Sequence, residues 1–138
     1  MDGLHPVGPE KQRRLEEYQG FLLGLAVTEA DAGAAPLVVW EGSHHIMRAA
    51  FQAALLEHAV EVWHEVDLTQ VYQAARRQVF ETCTRVVVHA RPGEAYLLHR
   101  LALHGVSAWQ DGATAPEDGR VILYFRPEID RADWLRKP

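Results

Sequence analysis

The tract YLLHRLALHGVSAWQ, Tyr96 to Gln110, sets His99 and His104 five residues apart in an apolar run that reaches Gly105. An imidazole among Leu and Ala costs free energy unless its ring nitrogens are paired. His104, next to a glycine that lets the backbone approach a neighbour closely, is therefore expected to hold something. Arg120 follows sixteen residues later, at the head of RVILYF. An antiparallel return would bring its guanidinium beside His104, where the planar fork suits a carboxylate held through two oxygens. Asp2, in MDGLHP, adds a carboxylate close to the start of the chain. A neutral imidazole, a carboxylate and a carboxylate-binding arginine together fit a site shared by a metal ion and an organic acid. Taken singly, each residue has a plainer role. His104 can be a hydrogen-bonded core residue, Arg120 a solvated strand start, and Asp2 a frayed terminal charge.

The remaining reactive residues read as structural. Ser43 and His44 shape a turn after a strand, and the adjacent His44 and His45 do not both face one ion. His5 lies three residues after Asp2, a spacing that sends the two to opposite faces of an extended chain. His99 and His104 also face opposite ways if their strand is continuous; a turn at His99-Arg100 would void that parity. His58 and His64 read as surface, and Cys83 as a small buried filler at a helix end.

Elements to position such a site follow from pattern. GFLLGLAVTEA from Gly20 reads as a buried strand, and APLVVWEGS as a strand opened by Pro36 and closed by Gly42-Ser43. Ile46 to Trp63, without Gly or Pro, reads as a helix. A second helix starts after Asp67, with Leu68, Val71, Tyr72, Ala75, Val79 and Phe80 on one apolar face. The pattern then returns to strands in RVVVHA, EAYLLH, LALHGV and RVILYF, with a turn at Pro92-Gly93. Strands flanking a helical insertion around 45–82 predict a mainly β fold, an antiparallel sandwich or barrel rather than a βαβ alternation.

Composition sets wider bounds. A chain of 138 residues is sized for a single domain. One cysteine excludes an internal disulfide and any multi-cysteine zinc site. A net charge of −5 without a basic stripe argues against nucleic acid as a partner. No apolar run approaches a membrane span, and no signal peptide is recognisable, so a cytoplasmic setting is expected.

PLVVWEGSHHIM, RPGEAYLLHRLALHGVSAW and GRVILYFRPE, in that order from about Leu37 to Glu128, resemble the phytanoyl-CoA dioxygenase-like family of Fe(II)/2-oxoglutarate oxygenases. The resemblance implies a double-stranded β-helix, a jelly-roll barrel related to the cupins. It implies Fe(II) and 2-oxoglutarate as cofactors, and dioxygen and a small organic substrate as partners. Residue by residue, it makes His104 the late iron-binding histidine, Asp2 the iron-binding carboxylate and Arg120 the clamp on the distal carboxylate of 2-oxoglutarate. Two histidines and one carboxylate on one face leave positions open on the metal. Ile122 and Tyr124, sharing the parity of Arg120, are expected to line the pocket, with Tyr18 and Trp40 as further lining. The family pattern departs in two places. Its early histidine belongs two positions before Asp2, ahead of Met1, so the barrel is expected to be incomplete at its N-terminus. Its serine two residues after the late histidine is replaced by Val106, with Ser107 next. The alternative function is a non-catalytic β-barrel module that binds a small molecule.

Overall fold

The computed structural model describes residues 3–137; Asp2 therefore lies outside the described residues. The architecture is mainly antiparallel β with a helical insertion, as the strand and helix periodicities predict. The chain runs β1 (Leu4–Val7), β2 (Gln12–Leu15), β3 (Phe21–Ala26), β4 (Leu37–Trp40), α1 (Ser43–Leu55) and α2 (Thr69–Thr82). It continues through β5 (Arg85–Val88), β6 (Ala95–His99), β7 (His104–Val106) and β8 (Ile122–Phe125). No described helix is long and apolar enough to cross a membrane.

Two three-stranded antiparallel sheets, ordered β6-β3-β8 and β5-β4-β7, carry the middle and end of the chain, while β1 and β2 pair only with each other. Alternation in β3 explains how the first sheet is used. Leu22 and Ala26 are buried, whereas Phe21 is exposed, because successive side chains leave opposite faces. Leu22, Leu98 and Tyr96 from this sheet pack with Leu37, Val39 and Val88 from the second, so the sheets face each other across a small apolar layer. Gly24 is opposite both Tyr96 and Tyr124. A methyl group there would come within 2.2 Å of the Tyr96 ring, so the glycine is what lets that ring lie across the strand. Leu97, Leu123 and Phe125 stay exposed on the outer face.

The larger core lies elsewhere. Met47, Phe51 and Leu55 from α1 and Ala75 and Val79 from α2 pack with Leu15, Trp63, Leu101, Leu103 and Trp134. The first helix ends at Leu55 rather than continuing to Trp63. The Trp63 indole N–H donates to the carbonyls of Leu55 at 2.9 Å and His58 at 3.2 Å, satisfying helix-end acceptors from a separate 3₁₀ turn, Val60–Glu65. The cap of α2 falls on Leu68, one residue later than expected, and makes no side-chain cap bond; Asp67 instead accepts the Thr69 N–H at 2.9 Å.

Candidate functional site

His104 opens β7 only because the residues before it are not strand. LALHGV is expected to be one strand, but Arg100 and Leu101 form a turn. That turn is fixed by polar contacts. His99 Nδ1 accepts the Leu101 N–H at 3.0 Å, and the His99 carbonyl accepts the Ala102 N–H at 2.8 Å. Ser43 Oγ, fully buried at the start of α1, accepts the Leu103 N–H at 2.9 Å. The Leu103 carbonyl takes the Trp40 N–H at 3.0 Å. The peptide units on either side of Ala102 are thus anchored to both the strand and the helix.

The ring of His104 is oriented by the same segment. Its Nδ1 lies 2.9 Å from the Ala102 carbonyl oxygen, which can only accept, so Nδ1 carries the proton. In the neutral ring the lone pair is then on Nε2, the state in which a histidine ligates a metal while its other nitrogen donates to a carbonyl. His104 lines a groove of about 290 Å³ with Gly105, Leu22, Leu37, Tyr124 and Arg126. A Cβ on Gly105 would meet nothing within 4 Å. Among the described residues no close neighbour requires this glycine, which lies beside His104 in the groove.

Arg120 is placed differently from the expectation. It lines a separate, nearly closed hollow with Asp31, His89, Tyr96 and Ile122. The two residues expected to line one pocket are divided, Ile122 lining the hollow of Arg120 and Tyr124 the groove of His104. The guanidinium sharing the groove with His104 is Arg126, six residues on and of the same parity, its Cζ 5.4 Å from the Tyr124 ring centre. The two hollows are joined by a Tyr96–Tyr124 hydroxyl pair at 3.0 Å. Burial raises the Tyr96 hydroxyl above its ordinary pKa, its bond to Tyr124 adds to this, and the Arg120 charge opposes it. Asp31, at the rim, accepts from Thr114 N at 2.7 Å and Oγ1 at 2.8 Å. These two bonds hold its carboxyl below the ordinary value.

Tyr18 and Trp40 do not join this region. Tyr18 is buried in the helical core, edge-on to Trp134 at 6.0 Å, and burial pushes its hydroxyl pKa up. Trp40 packs against Phe80 at 4.9 Å. Residue reading missed Tyr96 and Arg126. Arg126 was accessible by extending the two-residue period of β8, whereas Tyr96 becomes visible only once Gly24 is known to lie opposite it. Among the described residues, no group of three or more His, Cys, Asp or Glu is placed to hold a metal ion. Comparison with protein-family models, with curated proteins and with solved structures finds no match.

Proposed function

We propose that this chain carries the barrel of an Fe(II)- and 2-oxoglutarate-dependent dioxygenase that hydroxylates a small organic substrate. The observation that carries the reading is His104 itself. It heads a strand, its Nδ1 donates to the Ala102 carbonyl at 2.9 Å, and it borders open space over Gly105. That state of the ring fits a metal ligand. Strand order is a second support. An eight-stranded jelly roll places its third strand between the sixth and eighth, and its fourth between the fifth and seventh. The orders β6-β3-β8 and β5-β4-β7 follow that scheme, although β1 and β2 form a separate hairpin.

In this reading His104 and Asp2 hold the iron; the resemblance assigns the distal carboxylate of 2-oxoglutarate to Arg120, which lines the hollow next to the groove, while Arg126 is the guanidinium within the groove of His104. Iron and 2-oxoglutarate, when bound with dioxygen, supply the oxidant for C–H hydroxylation, releasing succinate and carbon dioxide. The chain's own residues orient and enclose. The Ala102 carbonyl fixes the His104 ring, the Tyr96–Tyr124 pair offers hydroxyls between the two hollows, and Leu22 and Leu37 keep the groove apolar.

The test measures succinate release with Fe(II) and 2-oxoglutarate. It uses this chain and a form extended through its upstream codons, where the resemblance puts the early histidine. Turnover is expected in the extended form. His104→Ala should lower it at least about a hundredfold, since even indirect supports of metal ligands are worth 10–100-fold. Arg120→Ala should raise the 2-oxoglutarate concentration needed for half-maximal release. Folded protein with no turnover in either form would overturn the proposal.

A further inference from the structure

A second concentration of polar chemistry lies away from the groove. His44, His45 and Arg48 occupy the first two turns of α1, and His99 ends β6. The His44 ring is 3.9 Å from that of His45 and 4.7 Å from that of His99. Arg48 Nη2 lies 3.1 Å from His99 Nε2 and donates to the Lys137 carbonyl at 3.0 Å. Its Nε is buried and has no hydrogen-bond partner.

The protons in this cluster do not balance. His99 Nδ1 accepts the Leu101 N–H, so in the neutral ring the proton must sit on Nε2. That N–H then faces a guanidinium that can only donate. Two donors oppose each other at 3.1 Å, the Arg48 Nε–H is buried without an acceptor, and among the described residues no acceptor answers them. The surroundings add positive potential. The first turn of α1 contains no acidic residue and its cap makes no side-chain hydrogen bond, so the carboxylate nearest in sequence to the positive end of the helix is Glu41, ahead of the Gly42 cap. Arg100 follows His99 and donates to the Trp134 and Lys137 carbonyls. Lys137 is paired with Asp133 at 2.5 Å.

We infer that His44, His45, Arg48 and His99 form a binding site for an oxyanion, the phosphate or carboxylate group of a ligand. An anionic oxygen between Arg48 and His99 Nε2 accepts from both and removes the donor conflict. A metal ion is the poorer occupant. Arg48 and Arg100 repel it, and His99 Nε2 already faces the Arg48 guanidinium at 3.1 Å. Burial first, then Arg100, His44, Arg48 and His45, bring the His99 pKa down to about 4. Burial, His45 and Arg48 lower that of His44. An anion opposes these charges, so it must raise both values. By reciprocity it binds more tightly as pH falls, about tenfold for each unit by which it raises one of them.

The experiment follows the imidazole signals of the whole chain by NMR. It titrates inorganic phosphate and acetate at pH 7, and sulfate, whose charge is constant, from pH 7 to pH 5. Chloride at matched ionic strength is the control. Saturable shifts at His99 and His44 are expected with phosphate, together with tightening of sulfate as pH falls. Arg48→Gln should weaken binding about tenfold or more, the scale of a lost charge-assisted hydrogen bond. His45→Asn, at an exposed position, should weaken it less and decides the matter if Arg48→Gln does not fold. A response to acetate as well as phosphate assigns the site to carboxylates too; phosphate alone assigns it to phosphate-type groups. Shifts that follow ionic strength with chloride equally, or variants that bind like wild type, overturn the inference.

Discussion

Ser43→Ala tests how the fold supports His104. The hydroxyl is fully buried and accepts the Leu103 N–H at 2.9 Å, one residue before the imidazole. Alanine leaves that buried N–H without an acceptor, which costs about 1–3 kcal/mol. One effect opposes this. Ser43 is the first helical residue of α1, where alanine recovers at most about 0.5 kcal/mol of helix propensity. The unsatisfied donor wins, for a net loss of about 0.5–2.5 kcal/mol. Unfolding entropy of about 0.3 kcal/mol/K for a chain of this size turns that into a drop of roughly 2–9 °C in Tm. Urea denaturation gives the stability and amide exchange locates it, because the Leu103 N–H should lose protection before the centre of α1 does. Under the proposed function, Ser43→Ala should also weaken iron binding without removing a ligand. Unchanged stability together with unchanged Leu103 protection would refute the claim that Ser43 holds this segment.

Gly24→Ala should destabilise by about 1–3 kcal/mol through overpacking, since the new methyl meets the Tyr96 ring; urea denaturation of Gly24→Ala in a Tyr96→Leu background should recover most of the loss. Phe51→Ala empties a fully buried position and should cost about 3–5 kcal/mol, whereas Leu97→Ala, at a residue 66% exposed, should stay within about 0.5 kcal/mol. The His99 pKa is depressed from 6.5 to about 4, so between those values the unfolded chain binds more protons. Stability should therefore be full above pH 6.5 and fall as pH drops toward 4. Partial exposure of the ring limits the effect to about 1–2 kcal/mol. His99→Gln should flatten the pH dependence of urea midpoints across that window, and an unchanged slope would count against the neutral imidazole.

Much of the β framework was legible because its signals are local. β3, β4, β5, β6 and β8 fall inside stretches rich in branched and aromatic residues, bounded by Gly or Pro. What escaped was decided by distant partners. The β1–β2 hairpin passes through EKQRRLEEY, a charged stretch whose strand character comes from pairing, Leu4 with Leu15 and Val7 with Gln12. The end of α1 is set by the Trp63 indole, eight residues beyond Leu55, and no breaker marks it. Leu101 and Leu103 look like strand by type, yet their N–H groups are taken by His99 and Ser43. At the site, residue type singled out His104, which lines a groove, and the two-residue period of β8 turns Ile122 and Tyr124 toward hollows. Spacing could not say that Arg126, rather than Arg120, shares the groove with His104, because that depends on how far β8 slides along β3. Arg100, 7% exposed, was missed because its burial rests on the Trp134 and Lys137 carbonyls, more than thirty residues away.

GSHH shows how one short stretch can serve two sites. Ser43 points inward and holds the amide before His104, so the first residue of α1 sets where β7 begins. His44 and His45 point to the other side of the same turn, where with Arg48 they meet His99. Because His99 also accepts the Leu101 N–H, its ring is a member of the basic cluster and a brace of the turn leading to His104. Protonating His99 Nδ1 must release that N–H. Acidification therefore acts on both places through one nitrogen: it should strengthen anion binding at Arg48 and loosen the Leu101–Leu103 segment together. Amide exchange at Leu101, followed from pH 7 to pH 4 with and without sulfate, should show protection lost as His99 titrates, and lost at higher pH when the anion is present. Protection at Leu101 that ignores the charge on His99 would separate the two and remove the link.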